Sequence, residues 1–344
     1  MENILFLAHT EENGLLSKVA LETLHAAVDF KKKINGSKLV VGLFGATTAQ
    51  ALQSIGGCGA EKFYEVSGAD FSQSRYGSDA AAAEAIFRTA KASIVLVPST
   101  SRISRTIPGV VQRLGGRVDT HVSGFNISNG AFQIHRWYYR QRMMATLTRA
   151  TRPWFLVVDS TVFPIWQGTA SAVSAEKVDV KLADSLKRTK VTGFKAPSSD
   201  AQTIRPDAKL LFVAGAGWTK KQADGQIHAD DAEKLVLDFL KKTNSSLGSS
   251  KSLVDQSGEG DKVFSFMSHL NQVGQTGSTP RHPKGLSTCC HGEEPHVVGW
   301  RFINDRRAVN LDANCGWAQG KADVLYVADA FKLMGKVNEL LAKS

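Results

Sequence analysis

Apolar residues run along the first part of the chain in short solid blocks, separated by stretches in which they recur every three or four positions. Solid blocks predict buried strands and the longer period predicts helices. Ile4 to Ala8 is followed by Leu15 to Phe30, Leu39 to Phe44 by Thr47 to Ser54, Phe63 to Val66 by Ala80 to Ala90, and Ile94 to Pro98 by Ile103 to Leu114. This alternation predicts a mostly parallel sheet covered by helices on both faces. Val122 to Ile127, Phe132 to Tyr138, Met143 to Thr148 and Phe155 to Val158 then read as consecutive strands with short polar breaks, which predicts an antiparallel extension of that sheet.

From Thr161 to Asp207 the pattern weakens, with Ser and Ala clusters and with Pro197 and Pro206, so the interdomain connection is expected at Val191 to Asp207. A second rhythm follows. Leu210 to Ala214 is an apolar strand ending in Gly215-Ala216-Gly217, Asp230 to Lys242 a helix, Arg307 to Leu311 and Val324 to Ala328 strands, and Phe331 to Lys343 an amphipathic helix. The fold class is α/β with two domains: residues 1–205, an N-terminal domain facing a partner, and residues 206–344, a smaller doubly wound domain of Rossmann or flavodoxin-like type. Sheets of that type bind ligands at the carboxyl ends of their strands.

With 344 residues, 42% of them hydrophobic and 22% charged, each domain can bury a core of its own, so disorder is not the expectation. No run of about 18 apolar residues occurs, and a strand starting at Ile4 leaves no room for a leader peptide; no membrane insertion is expected. Cys58, Cys289, Cys290 and Cys315 are too few and too unevenly spaced for a disulfide framework and fit a reducing compartment. The net charge of +10 suits nucleic acid, an anionic membrane or an acidic protein without choosing among them.

The most specific motif is Gln272-Val273-Gly274-Gln275-Thr276-Gly277, followed in order by Gly292 and His296, by Val309-Asn310-Leu311-Asp312 and by Ala322-Asp323. Upstream stands Ser249-Ser250-Lys251-Ser252-Leu253-Val254-Asp255. In order and spacing this set resembles the flavin-binding domain of electron-transfer flavoprotein alpha subunits, with their Q-x-G-Q-T-G, G-x-x-x-H, I-N-x-D, A-D and A-S-R-x-x-V-D segments. The likeness extends weakly over the first domain, through Val97-Pro98-Ser99 and the strand Arg136 to Tyr139. The resemblance implies bound FAD, with Gln275 and Thr276 at the flavin ring, His296 near its O2 edge, Ser250 and Lys251 near the reactive face, Asn310 and Asp323 around the adenosine half, and Gly277 and Gly292 also binding the cofactor. It also implies a beta-type partner subunit, flavin dehydrogenases as donors and a quinone reductase as acceptor. The mitochondrial matrix in a eukaryote, or otherwise the cytoplasm, is the expected compartment. A hydroxyl and backbone N–H groups at N5 and O4, with a histidine beside N1 and O2, stabilise the one-electron reduced anion that such a carrier needs.

Three segments depart from the family pattern. Where it has G-G-R-G, the chain reads Gly215-Ala216-Gly217-Trp218, with no arginine. Where a G-x-S-G-A-x-Q-H helix start offers bare N–H groups to a pyrophosphate, Gly292-Glu293-Glu294-Pro295-His296 brings two carboxylates that compete with a phosphate. Where the family has the small Y-A-G-N loop, Tyr139-Arg140-Gln141-Arg142 brings long cations. These departures support an alternative: a divergent paralogue that has weakened or lost the FAD site and serves as a structural or assembly subunit of a larger complex, including a ribonucleoprotein one.

Other patterns are less specific. Cys289-Cys290-His291 with Cys315 and either His282 or His296 has zinc-ligand residue types, but its spacing matches no standard zinc pattern. The run from Arg136 to Arg152 interleaves cations with aromatics, as nucleic-acid surfaces do, and also suits a strand with one solvated face. Lys31-Lys32-Lys33 reads as a helix C-terminus, and Arg102, Arg105 and Arg113 as the solvated face of a surface helix. No nucleophile stands at a telling distance from a base, so an electron carrier is expected rather than a catalyst with its own substrate.

Overall fold

The computed structural model describes residues 2–128, 131–138, 143–193, 204–205, 208–255, 264–273, 281–289, 303–314 and 322–343. The chain divides into two units, Met1–Phe194 and Lys195–Ser344; the sequence pattern alone sets the division at residue 205.

Strand β1 (Asn3–His9) shows why the first unit folds as it does. Successive side chains of a strand point to opposite faces. Ile4, Phe6 and Ala8 therefore join one core with Leu24, Ala27 and Phe30 of helix α1 (Lys18–Lys33). Leu5 and Leu7 join the other core with Ile86 of α3 (Tyr76–Ala90) and with Ile103 and Ile107 of α4 (Ser101–Arg113). Burying each of these Ile, Leu and Phe side chains contributes roughly 1.5 to 3 kcal/mol. Ser17 caps α1 by accepting from Ala20 N, and Lys31, Lys32 and Lys33 occupy its last turn, where cations complement the helix dipole.

The remaining elements are β2 (Lys38–Gly45), α2 (Ala49–Ser54), β3 (Lys62–Ser67), β4 (Ile94–Pro98), β5 (Arg117–Ser128), β6 (Ala131–Tyr138), β7 (Met143–Leu147), β8 (Trp154–Val158) and β9 (Ala175–Lys177). They form one nine-stranded sheet in the order β7-β6-β5-β8-β4-β1-β2-β3-β9. Only β5 with β6 and β6 with β7 pair antiparallel. β8 is not part of that extension. It lies between β4 and β5, parallel to both, and its fully buried Trp-Phe-Leu-Val-Val run is what a strand covered on two faces requires. β5 changes its pairing through register shifts on either side of Val122, with His121 at φ 57.

Two further expectations are corrected here. Arg102 does not lie on a solvated face: it is buried and bonded to Asp79 of α3. Arg136, Arg149 and Arg152 of the Arg136 to Arg152 stretch also turn toward carboxylates. Arg136 and Arg149 donate to wholly buried Asp119, at 2.8 and 2.5 Å, and Trp154 Nε1 donates to the same carboxylate at 2.8 Å. Arg152 pairs with Glu2. Arg140 and Arg142 lie outside the described residues.

The second unit contains β10 (Leu210–Ala214), α5 (Ala229–Thr243), β11 (Ser246–Ser249), α6 (Lys251–Asp255), β12 (His282–Thr288), β13 (Ile303–Asn310), β14 (Val324–Val327) and α7 (Ala330–Leu341). Its five strands are all parallel, in the order β11-β10-β12-β13-β14. Counted within the unit this is the order 2-1-3-4-5 of flavodoxin-like sheets, with the connections reversing direction between β10 and β12. Phe212, Leu247, Val236, Phe239 and Met334 anchor the core beneath α5 and α7. Among the described residues no helix is long and apolar enough to cross a membrane.

Candidate functional site at the carboxyl edge of the second sheet

Both units are α/β sheets, and in each a cavity opens at the carboxyl ends of the strands. In the second unit it measures about 330 Å³ and is lined by Gly217, Lys220 to Ala223, Cys289, Asn310, Leu311 and Ala328 to Phe331. Loops leaving β10, β12, β13 and β14 all reach it, because parallel strands bring their carboxyl ends to one side. Asp329 caps α7 by accepting from Lys332 N at 3.2 Å, so a carboxylate stands at the helix start. Burial, with Asp329 adding to it, pushes the Cys289 thiol up to about 12, so this sulfur stays protonated at neutral pH.

At the far edge of the same sheet, β11 ends at Ser249, and Ser250 N donates to Ala214 O at 2.9 Å. Ser250 Oγ accepts from Leu253 N at the start of α6. Lys251 is half-buried and loosely paired with Asp255 at 3.5 Å, and Asp255 also meets His269 Nε2 at 3.0 Å. Gln272 and Val273, the first residues of the Gln-x-Gly-Gln-Thr-Gly motif, lie beside this edge: Val273 N donates to Ser249 O at 3.0 Å. Gln275, Thr276, Gly277, Gly292 and His296 lie outside the described residues.

Of the described candidates, Ser250, Lys251 and Asn310 share the carboxyl edge and Asp323 does not. Asp323 precedes β14 and sits at its amino end, where its carboxylate takes Arg306 N at 2.8 Å and Arg306 Nη2 at 2.8 Å. Those hydrogen bonds hold its carboxyl below the ordinary value. The acidic residue that reaches the cavity is Asp329, six positions later, which the sequence pattern does not single out. Its signal is an Ala-Asp pair placed after β14 and directly before α7, the Asx position of a helix start.

The turn that lacks the family's arginine is itself packed. Ala216, Gly217, Trp218 and Thr219 are all buried, and Trp218 Nε1 donates to Thr288 Oγ1 at 2.8 Å while its ring meets Phe331 edge-on at 4.7 Å.

The cavity of the first unit, about 420 Å³, is lined by His9 to Glu12, Ser72 to Ser74, Thr100 to Arg102 and Val191 to Gly193. It lies at the ends of β1 and β4, where the strand order of this sheet reverses. His9 is buried, with Nδ1 3.2 Å from Thr10 O and Nε2 3.1 Å from Thr100 Oγ1. A neutral ring satisfies both contacts by donating from Nδ1 and accepting at Nε2. Burial and then the Arg102 charge lower its pKa. The electron transfer flavoprotein domain model matches residues 4–185, more than half of the chain.

The chain belongs to the electron transfer flavoprotein family. A search of curated proteins finds no match. The family match lies in the first unit and reaches none of the residues from Ser250 to Asp323. Electron transfer flavoproteins carry flavin and work with partner subunits and dehydrogenases.

Proposed function

We propose that this electron transfer flavoprotein is an alpha-type subunit that holds FAD on its second unit and pairs with a beta-type subunit. It relays single electrons from flavin dehydrogenases to a quinone reductase, in the mitochondrial matrix of a eukaryote or otherwise in the cytoplasm. One observation carries the reading. Ser250 and Lys251 follow β11 at one edge of the sheet, while Asn310 ends β13, three strand steps away. At about 4.8 Å per step this is a span of roughly 14 Å, so a ligand touching both groups must have two ends, as a dinucleotide does.

The donor set fits such a group. A cavity of about 330 Å³ lies at the low end of the roughly 300 to 1,000 Å³ of small-molecule sites and suits one half of it. Asn310 and Asp329 offer an amide and a carboxylate to sugar hydroxyls, Ser250 and Lys251 offer a hydroxyl and a cation to a ring edge, and Gln275, Thr276, Gly277, Gly292 and His296 are assigned to the flavin by resemblance alone. FAD, when bound, supplies the one-electron chemistry. The chain would orient it and place the Lys251 cation where negative charge develops. The second reading, a structural or assembly subunit, draws on the buried arginine-free turn at Gly215 to Trp218 and on Glu293 and Glu294. The visible absorption spectrum of the purified chain with its co-purifying partner, before and after FAD is added and the sample desalted, decides between them. Flavin bands support the redox reading, and their absence in both samples supports the structural one.

A further inference from the structure

The loop leaving β10 carries two ammonium groups into the second unit's cavity, and neither belongs to the motif set that marks the flavin site. Its path is fixed. Gly215 N donates to Thr288 O at 2.8 Å, Gly217 N to Cys289 O at 3.0 Å, and Trp218 is anchored to Thr288, so the turn Ala216–Thr219 is pinned to the end of β12. Gln222 Nε2 then folds back onto Gly217 O at 3.0 Å and Lys220 O at 2.6 Å. Lys220 and Lys221 emerge between these anchors, both exposed and both lining the cavity. Among the described residues neither ammonium has an ion-pair partner.

The charged and polar groups come to the cavity from different strands. Asn310 and the Asp329 carboxylate line it from the ends of β13 and β14, and the two lysines from the end of β10. The start of α7 also lines it, and the first turn of that helix holds no acidic residue, so the positive end of its dipole is opposed only by the cap. A phosphate is repelled by Asp329 and attracted by the lysines, while a sugar diol donates well to a carboxylate. β10 lies between β11 and β12 in the sheet, so the lysines leave the edge between the Ser250 end and the Asn310 end.

Building on the dinucleotide reading above, we infer that Lys220 and Lys221 bind the linking phosphates of FAD and supply the positive charge that the turn Gly215 to Trp218 lacks. A lysine acts as a hydrated point charge rather than a bidentate fork, so it holds a phosphate from a surface loop without the fixed geometry an arginine in the turn would need. Because both side chains are exposed, salt screens the attraction, with a Debye length of about 8 Å at physiological ionic strength.

The test compares the full chain as isolated with Lys220→Ala/Lys221→Ala and Lys220→Arg/Lys221→Arg variants, titrating FAD and riboflavin at low and high salt by flavin fluorescence. The alanine pair is expected to bind FAD about tenfold more weakly at low salt, with the difference shrinking to about twofold near 1 M salt, where the Debye length is about 3 Å. Riboflavin, which has no phosphate, should bind all three alike, and the arginine pair should bind FAD as the parent does. A parent that binds FAD and an alanine pair that binds it equally well overturn the lysine assignment and leave the flavin reading standing. An equal loss for riboflavin shows damage to the fold and also overturns it. A parent that binds no FAD overturns the flavin reading and this inference with it.

Discussion

Arg102 Nη2 lies 2.6 Å from Asp79 Oδ1, and Arg102 Nε lies 2.9 Å from Asp79 Oδ2, a bidentate ion pair buried between α4 and α3 beside the first unit's cavity. Arg102 also donates to Phe71 O at 2.7 Å, so one guanidinium holds two helices and the turn after β3. Removing one partner leaves a buried charge alone. Arg102→Met should cost about 3 to 5 kcal/mol in urea unfolding. Burial already raises the Asp79 carboxyl despite the Arg102 hydrogen bonds that oppose it. In Arg102→Met the loss should therefore be greater at pH 8 than at pH 5, because a carboxyl with a raised native pKa is destabilising once pH passes its unfolded value. A loss of equal size at both pH values would show that Asp79 is not the group left stranded.

His9 gives a pH effect of the opposite sense. Its native pKa is lowered by burial and by Arg102, so the unfolded chain takes up a proton below the ordinary value of about 6.5 that the folded chain refuses. Stability contributed by the neutral ring is complete above that value and falls as pH drops from it toward the lowered native value. Thermal or urea unfolding followed from pH 7.5 to 5.5 should show this slope, and His9→Gln should flatten it. An unchanged slope in the variant assigns the effect to another group.

Asp119 joins the parallel part of the first sheet to its antiparallel extension. Burial would raise its carboxyl, but hydrogen bonds from Arg149, Trp154 and Arg136 outweigh it and hold the pKa low. Its stability contribution is present above the ordinary carboxylate value of about 3.9 and is lost as pH falls through the native one. Asp119→Asn should destabilise by about 3 kcal/mol, since two guanidinium groups lose their counter-charge. It should also remove part of the acid lability below pH 4, which urea unfolding at pH 7 and pH 3.5 would reveal. A variant as stable as the parent at pH 7 would refute the hub.

The architecture was legible where burial is simple and obscured where partners are remote. Ile4 to Ala8 and Phe155 to Val158 read as strands because a strand covered on both faces must be apolar throughout. β12 and β11 did not, because Pro283, Lys284 and Gly285 in one and Ser246, Gly248 and Ser249 in the other look like turn residues. Gly248 is required by packing: a Cβ there would lie 2.5 Å from Val273 Cγ2. Arg102 reads as a surface residue because its partner is 23 positions away in sequence. At the candidate site, Ala-Asp occurs twice, as Ala322-Asp323 and Ala328-Asp329, and only the direction of β14 tells which pair reaches the carboxyl edge.

That difference yields its own test. On the flavin reading, Asn310→Ala should weaken FAD binding by about fivefold, the loss of a hydrogen bond near the middle of the usual range. Asp323→Asn should leave FAD affinity within about twofold, because its carboxylate is bonded to Arg306 at the opposite end of the strand. Equilibrium titration with FAD measures both. A large loss for Asp323→Asn with none for Asn310→Ala would reverse the assignment of ends.

Glu293 and Glu294 separate the two functional readings most sharply, although they lie outside the described residues and the case rests on sequence alone. In the resembling family the matching segment opens a helix with bare N–H groups toward a pyrophosphate, and here two carboxylates take those places. A carboxylate about 4 Å from a phosphate is repelled by about 1 kcal/mol in water and by several times that where water is partly excluded. If FAD is held there, Glu293→Ser/Glu294→Ala should tighten it by at least about fivefold, since 1.4 kcal/mol corresponds to a factor of about ten. The gain should fade as salt rises. Lys220 and Lys221 act in the opposite direction on the same ligand charge, so removing them should weaken binding in the parent and in the double variant alike. FAD reconstitution followed by desalting and absorbance at the flavin bands reads the outcome. A chain that retains flavin only after the glutamates are replaced has the weakened site of the structural-subunit reading. A chain that retains none in either form has lost that chemistry, and the structural-subunit reading then holds.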